Sequence, residues 1–264
     1  STLMLLQEFK KDIMFSDLTF EFMSSFEYFL QLKGYHTNTI AKHMKHLKRH
    51  VNIAINKEYI EIQKYAFRKY KIKTVENKHT HLVPEELEKL EKLNLSGRYM
   101  KLQKSLDAFL FCCYAGMRYS DFTNLSSENI VDINQETWLI YKSVKTGTEV
   151  RLPLYLLFAG KGIIILNKYR DNLEGFFRLR DNSNVNKDLL TLAKLAGLSK
   201  NISFHTARHT NATLLIYNGV NITTVQKLLG HKSVKTTQVY TNIMDMTIIH
   251  DLEKMKQATP FAGK

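Results

Sequence analysis

Polar residues that packing does not readily explain gather in four short segments beyond residue 110. These segments are Ala115–Asp121, His205–His209, Leu228–His231 and Thr236–Tyr240. Arg118 and Arg208 lie in the first and second of them. A guanidinium binds two phosphate oxygens at once, whereas an ammonium acts as a point charge. A phosphodiester under attack gathers negative charge on its non-bridging oxygens, so the two arginines are suited to stabilise it.

The histidines of these segments also permit a metal site. His205 and His209 have the spacing of a helical ligand pair, and His231 could supply a third ligand. Arg208 lies inside the pair, however, and its charge would repel a cation. We therefore favour an anion site and expect no metal and no cofactor. The sequence also lacks a Walker-type phosphate loop and a two-metal carboxylate cluster, so ATP and divalent metal should be dispensable.

In order and spacing, the four segments resemble the signature boxes of the tyrosine recombinases, the phage integrase family. The boxes are an arginine after a glycine turn, a His-x-x-Arg-His group, a Leu-Gly-His group and a tyrosine nine residues further on. Lys145, in a predicted hairpin, lies between the first and second boxes. The resemblance covers the region from about Leu82 to Tyr240. It implies a site-specific recombinase that cleaves and rejoins double-stranded DNA through a 3′-phosphotyrosine intermediate.

The resemblance implies a catalytic role for each matching residue. Tyr240 is the nucleophile, and because an unperturbed phenol has a pKa of roughly 10 it needs a base or nearby positive charge. His205 matches the family's candidate for that role, and His231 would donate a hydrogen bond to the phosphate. Lys145 resembles the general acid that protonates the leaving 5′-oxygen, with Lys142 as the nearby alternative.

Two further residues are expected to support the site. Asp121 is similar to the acidic residue with which the family orients its first arginine. His209 is interpreted as a packing histidine without a direct catalytic role. The alternative for Tyr240, an ordinary half-buried tyrosine at a helix edge, is overruled by its spacing from His231.

Composition and charge agree with a DNA partner. The chain has 264 residues, 44% hydrophobic and 24% charged, which is ordinary for a globular protein. Its formal charge of +13 favours a polyanion, and nucleic acid is the first candidate. An anionic membrane surface is the alternative, but no apolar run approaches the roughly 18 residues of a membrane span, and no signal peptide is found. We expect a cytoplasmic protein that does not act on membranes.

The first part of the chain predicts helices with basic surfaces. Ser16 or Asp17 is predicted to cap an apolar-periodic stretch that Gly34 ends, and Thr37 is predicted to cap the next helix. That helix has an apolar stripe of Ile40, Met44, Leu47, Val51 and Ile55, and a basic remainder of Lys42, Lys45, Lys48, Arg49 and His50. Residues 66–78 are crowded with positive charge and lack helical periodicity, which predicts an extended connector.

The elements of the second part must position the four segments. Pro84 predicts a helix start and Gly116 a helix end, which presents Arg118 at a bend. Residues 129–154 predict strands, with Thr146-Gly147 as a hairpin turn. The adjacent cysteines Cys112 and Cys113 are interpreted as buried core. The polar stretch 181–184 is expected to interrupt the helices after Leu154.

Pattern and resemblance together predict a mainly α fold with a small antiparallel β-sheet (α+β). Residues 1–75 form a helical, SAM-like core-binding domain, and residues 76–264 form a catalytic domain of the tyrosine-recombinase type. The resemblance implies a C-shaped clamp around DNA and a homotetramer on two synapsed sites. A monomer in the absence of DNA and an accessory DNA-bending protein are further expectations.

The two ends of the chain carry one expectation each. The apolar-periodic segment from Met244 to Met255 predicts a terminal helix that either folds back on its own core or, as the family favours, docks into a neighbouring protomer. The chain enters the helical domain almost directly after Ser1, whereas many integrases of phages and conjugative transposons carry an arm-binding domain first. A trimmed sequence is one interpretation of this start, and the sequence does not decide whether such a domain was removed.

Two other functions are compatible with parts of this pattern. A type IB topoisomerase-like enzyme would use the same nucleophile and arginines to relax supercoils. The residues that make up the four motifs favour a recombinase. A DNA-binding regulator without activity would not need an intact Tyr240 together with both arginines. Integration or excision of a mobile element is therefore the expected activity.

Overall fold

In the computed structural model of the chain, residues 1–75 and 79–240 are described. The chain divides into two compact units with the boundary between Lys78 and His79. The predicted domain boundary at residues 75 and 76 stays a prediction, because residues 76–78 lie outside the described part. The predicted terminal helix from Met244 to Met255 also lies outside it.

The first unit is a small helical bundle. Its helices are α1 (Thr2–Phe9), α2 (Phe20–Leu32) and α3 (Thr37–Asn56). Single turns of 3-10 helix lie at Phe15–Asp17, Ile62–Lys64 and Ala66–Arg68. Of the predicted apolar stripe of α3, four members are buried in the core and Ile55 packs against it, while Lys42 and Lys45 are exposed. The amphipathic pattern therefore identified the packing face correctly.

Both predicted helix caps of this unit were wrong. The hydroxyl of Thr19, not Ser16 or Asp17, accepts the hydrogen bond from the Phe22 amide that starts α2. Asp17 is engaged elsewhere, because its carboxylate accepts from the Met14 amide at 2.8 Å and so closes a separate turn. Thr37 is already the first residue of α3, after His36 in extended conformation.

The predicted extended connector begins later than expected. Phe67 and Tyr70 are buried in the core of the first unit, and the Tyr70 hydroxyl donates to Glu27 at 2.5 Å. The positive charges nearby did not prevent this burial, because long lysine side chains keep their ammonium groups in water while their stems cover apolar surface. Lys48, for instance, lies over the Phe67 ring with Nζ 5.8 Å from its centroid.

The second unit combines helices with one sheet. Its helices are α4 (Pro84–Glu91), α5 (Gln103–Ala115), α6 (Tyr119–Thr123), α7 (Lys161–Lys168), α8 (Leu173–Phe177), α9 (Asn182–Leu195), α10 (Phe204–Tyr217), α11 (Ile222–Leu229) and α12 (Lys235–Gln238). Helices α5 and α10 are buried over almost their whole length and pack against each other. Cys112 and Cys113 lie fully buried in α5, as predicted.

The sheet has three antiparallel strands in sequence order. They are β1 (Ile130–Ile133), β2 (Glu136–Lys142) and β3 (Glu149–Pro153). Leu139 pairs with Leu152 and Tyr141 with Val150, and these four side chains form the buried face. The alternation of buried and exposed residues thus fixes which face of the hairpin packs on the helices. The predicted mainly α fold with a small antiparallel sheet is confirmed.

Local signals at helix ends were confirmed at two places and wrong at a third. Pro84 is the first residue of α4, and Gly116 ends α5 with φ +67°. A Cβ on Gly116 would lie 2.6 Å from Asn211 Oδ1, so this turn requires glycine. The predicted interruption at residues 181–184 is misplaced: the break lies at residues 178–181, and Asp181 accepts from the Asn184 amide at 3.0 Å and caps α9.

Among the described residues, no helix combines the length and the apolar character that crossing a bilayer requires.

Candidate active site

Arg208 occupies the centre of the predicted site. It lies on α10 and is only 1% exposed. Its Nη1 donates to the Gly116 carbonyl at 2.7 Å, and its Nη2 donates to the Leu229 carbonyl at 2.6 Å. The side chain therefore joins the end of α5 to the end of α11, and with them the first and third of the predicted segments.

Asn211, one turn further along α10, strengthens the same junction. Its Nδ2 donates to the carbonyls of Cys113 and Tyr114 at 2.9 and 3.0 Å. The last carbonyls of a helix have no partner within the helix, so these bonds satisfy groups that would otherwise be buried unpaired. Sequence reasoning missed Asn211, although a polar residue three positions after Arg208 in a buried helix was an available signal.

Arg118 lies at the bend between α5 and α6 and is held by two partners. Its Nη1 donates to Asp121 Oδ2 at 3.3 Å and to Ser143 Oγ at 3.2 Å. Asp121, 1% exposed, also accepts from the Ser143 hydroxyl and, at 2.9 Å, from the Val144 amide. One buried carboxylate therefore positions both Arg118 and the start of the β2–β3 turn.

Lys145 is exposed within that turn, whereas Lys142 ends β2 opposite Glu149. The charge of Lys145 contributes to lowering the pKa of His205 and of His231, and Lys142 is not among the causes for either. Lys145 therefore lies within electrostatic range of both histidines.

His231 follows the left-handed residue Gly230, which ends α11. Its Nδ1 lies 2.9 Å from Thr237 Oγ1, and Gln226 Nε2 donates to its carbonyl at 3.0 Å. Burial and then the charges of Arg208 and Arg118 lower its pKa to about 3. The imidazole is therefore neutral at pH 7.

His209 is surrounded by other rings. Its ring centroid lies 4.5 Å from that of His205, 4.5 Å from that of His79 and 5.5 Å from that of Tyr240. Burial, followed by His205 and His79, lowers the pKa of His209 to about 3. His205 is exposed, and its pKa is lowered by desolvation and by the charges of Arg208 and Arg118. Both histidines are therefore biased towards the neutral form.

Tyr240 is 5% exposed and packs against the core of the second unit. Burial raises the pKa of its phenol, and the charges of Arg208 and Arg118 oppose that effect without cancelling it. The tyrosine therefore lies within the electrostatic influence of both arginines.

Hydrogen bonds, ring contacts and charge effects connect all the predicted site residues into one cluster. Its predicted members are Arg118, Asp121, Lys145, His205, Arg208, His209, His231 and Tyr240. Sequence reasoning missed Ser143, Thr237 and His79, because a small hydroxyl or a lone histidine carries no signal of its own. Within residues 1–75 and 79–240, no group of three or more His, Cys, Asp or Glu could hold a metal ion.

Comparisons with known proteins identify the family to which the chain is similar. The phage integrase family matches residues 81–246, and the phage integrase SAM-like domain matches residues 1–72. A tyrosine recombinase of Pseudothermotoga lettingae is 31% identical over 185 residues, which is 67% of this chain and 60% of the relative. A tyrosine recombinase of Thermosipho africanus is 33% identical over 160 residues, 58% of this chain and 54% of the relative. The chain thus spans little more than half the length of these curated relatives.

Solved structures show the same fold. A lambda integrase dimer bound to a core site has a TM-score of 0.71 at 19% identity, covering 90% of this chain and 85% of that one. The Tn1549 transposon integrase in complex with transposon right end DNA also has a TM-score of 0.71, at 17% identity, covering 96% and 91%. The match over residues 81–246 spans more than half of the sequence, and the chain therefore belongs to the phage integrase family.

Proposed function

We propose that this chain is a site-specific DNA recombinase that integrates or excises a mobile element through a 3′-phosphotyrosine bond to Tyr240. The observation that carries the proposal is the closeness of two guanidinium groups, of which Arg208 is buried and Arg118 is half-buried. Burial and the nearby charge of Arg118 lower the pKa of Arg208 to about 10, and among the described residues no carboxylate forms an ion pair with Arg208. Such a site is stabilised by an anion, and a phosphodiester fits the two guanidinium groups.

The first chemical step is transesterification at phosphorus. The Tyr240 oxygen forms a bond to phosphorus while the bond to the 5′-oxygen breaks, and the phenol proton passes to the neutral His205. Because burial raises the pKa of Tyr240, the proton leaves during the attack and not before it. Lys145 protonates the departing 5′-oxygen. The reverse reaction with a second 5′-hydroxyl rejoins the strand and releases the tyrosine.

Three groups stabilise the charge that develops on the non-bridging oxygens. Arg118 and Arg208 supply guanidinium donors, and each is held in place before the phosphate arrives. His231 supplies a neutral donor: if the Thr237 hydroxyl donates to Nδ1, the proton of the imidazole is on Nε2 and free for the phosphate. Asp121 and His209 are positioning residues in this scheme.

The phosphotyrosine bond conserves the energy of the phosphodiester, so we expect neither ATP nor a metal ion to be required. The wild-type protein should cleave DNA at the same rate with and without excess EDTA. A cytoplasmic location stays a prediction.

Double-stranded DNA is the proposed partner of both domains, residues 1–75 as core-binding and residues 76–264 as catalytic domain. A solved neighbour with a TM-score of 0.69 is a lambda integrase tetramer bound to a Holliday junction. We propose a homotetramer on two synapsed sites, a monomer without DNA, and an accessory bending protein. The named relatives are recombinases, which favours strand exchange over supercoil relaxation.

The apolar segment after Tyr240 fits the proposed assembly. The second unit contains a mainly apolar cavity of about 1010 Å³ whose lining includes Leu156, Phe158 and Leu228. We propose that it accepts the Met244–Met255 segment of a neighbouring protomer. Deletion of residues 244–264 would then lower recombination while single-site DNA binding is retained.

A library experiment tests the catalytic proposal without knowledge of the target site. Wild-type protein and Tyr240→Phe are incubated with short duplexes of randomised sequence that carry a nick in one strand. Wild type should form a denaturant-resistant, protease-sensitive adduct at a 3′-phosphate, and Tyr240→Phe should form none. Sequencing of the captured DNA gives the preferred site. Absence of an adduct with wild type, or equal adduct with both proteins, would refute the proposal.

A further inference from the structure

The turn that carries Lys145 is anchored at two points to different helices. At its start, the Val144 amide and the Ser143 hydroxyl donate to Asp121 in α6. The same carboxylate accepts from Arg118. At its tip, the Thr146 hydroxyl donates to the Gly230 carbonyl at 3.3 Å. Gly230 directly precedes His231. Lys145 thus lies between an anchor to the arginine side of the site and an anchor to the histidine side.

The second anchor is reinforced by close packing. A Cβ on Gly230 would lie 2.7 Å from Val150 Cγ2, so β3 approaches the end of α11 as nearly as glycine allows. The Thr146 oxygen also accepts from the Thr148 amide at 3.5 Å, which leaves its proton directed to Gly230. The Thr146 hydroxyl therefore forms one hydrogen bond within the turn and one to Gly230, the residue before His231.

Lys145 has no anchor of its own. Its side chain is exposed and, within the described part of the chain, forms neither a hydrogen bond nor an ion pair. A lysine side chain has four flexible bonds, so the accuracy with which its ammonium reaches a leaving oxygen depends on how firmly the backbone is held. A misplacement of about 1 Å can cost roughly 10²-fold in rate.

We propose that Thr146 is a positioning residue that holds Lys145 at the scissile phosphate by fastening the β2–β3 turn to Gly230. This inference rests on the proposed function, because it assigns Lys145 the task of protonating the 5′-oxygen. Thr146 touches no reacting atom. Its effect is confined to the step that needs the proton.

The leaving group distinguishes this role from a general structural one. An oxygen leaving group needs a proton, because an alcohol is nearly as weak an acid as water and its alkoxide is a poor leaving group. A 5′-bridging sulfur leaves as a thiolate, whose conjugate thiol has a pKa of about 8.5, and needs no acid. A variant that misplaces Lys145 should therefore form the adduct slowly when the 5′-bridging atom is oxygen and at the wild-type rate when it is sulfur.

The test compares four variants on the nicked duplex selected from the library, made with oxygen or with sulfur at the 5′-bridging position. Thr146→Val keeps the shape and removes the hydroxyl, and Thr146→Ser keeps the hydroxyl. Thr148→Val is the matched control, since the Thr148 hydroxyl has no hydrogen-bond partner among the described residues. Lys145→Ala measures how much complete loss of the general acid slows adduct formation.

We expect Thr146→Val to slow adduct formation about 10- to 100-fold with oxygen, by the misplacement argument, and to match wild type within a factor of about two with sulfur, where no acid is needed. Thr146→Ser and Thr148→Val should behave as wild type on both substrates, and Lys145→Ala should show the same rescue by sulfur. A Thr146→Val rate equal to wild type with oxygen would overturn the role, and so would equal slowing on both substrates. Absence of any adduct with wild type would instead refute the proposed function, and the role of Thr146 with it.

Discussion

Replacing Arg208 with lysine keeps a positive charge but removes the planar fork. The guanidinium serves two carbonyls at 2.7 and 2.6 Å and still has N–H groups for a phosphate. An ammonium has three donors around one nitrogen and cannot span both carbonyls and the phosphate oxygens. At least one buried carbonyl is then left without a partner, which costs about 1–3 kcal/mol of folding stability.

The loss of transition-state stabilisation should exceed the loss of folding free energy. Removing one donor from a developing oxyanion typically slows a reaction by about 10²–10³-fold. We expect Arg208→Lys to slow adduct formation by this factor in single-turnover assays on the nicked duplex. DNA affinity and its salt dependence should change little, because the number of positive charges is unchanged.

The pH profile gives this prediction a second signature. Burial and the charge of Arg118 lower the pKa of Arg208 to about 10. The same surroundings would lower the pKa of a lysine from its ordinary value of about 10.4. The residual activity of Arg208→Lys should therefore fall with rising pH before that of wild type does, because the lysine loses its proton at a lower pH than Arg208.

Arg151→Lys is the matched control, because Arg151 is exposed on β3 and, among residues 1–75 and 79–240, forms an ion pair with Glu149 alone, at 3.5 Å. It should cleave at the wild-type rate. An Arg208→Lys rate within about fivefold of wild type would refute the reasoning, because loss of one oxyanion donor should cost at least 10²-fold.

Three further predictions concern the groups that hold the site. Ser143→Ala removes one of the two partners of Arg118 and should slow cleavage about tenfold in the same assay, by the loss of roughly 1.4 kcal/mol of orientation; an unchanged rate would exclude this role. Thr237→Val should slow cleavage while Thr237→Ser restores it, because only a hydroxyl can bind His231 Nδ1; equal rates for the two variants would contradict the tautomer argument. The folded pKa values of His209 and His231, about 3, lie below the unfolded value of 6.5. The unfolded chain therefore binds more protons between these values, and the free energy of unfolding should fall by roughly 2 kcal/mol per histidine from pH 8 to pH 5. Denaturant titrations at the two pH values measure this, and stability that is constant or higher at pH 5 would contradict it.

Much of the fold could be predicted because its signals are local. Gly116 ends α5 and Pro84 begins α4 because their backbone preferences act within a few residues. The hairpin around Gly147 follows from alternating strand residues on both sides of a turn. The caps at Thr19 and Asp181 were missed, because several neighbouring polar residues could serve and the free-energy differences between them are about 1 kcal/mol.

By itself the sequence determined which chemical groups the proposed site contains, since the types and order of Arg118, Lys145, His205, Arg208, His231 and Tyr240 are covalent facts. Only the tertiary structure decided how they are held. Arg208 binds Gly116, 92 positions away in the chain, and Ser143 binds Asp121, 22 positions away. Partners so distant in sequence meet only when helices and strands have packed, because burial leaves each polar group to find a partner wherever the fold has placed one.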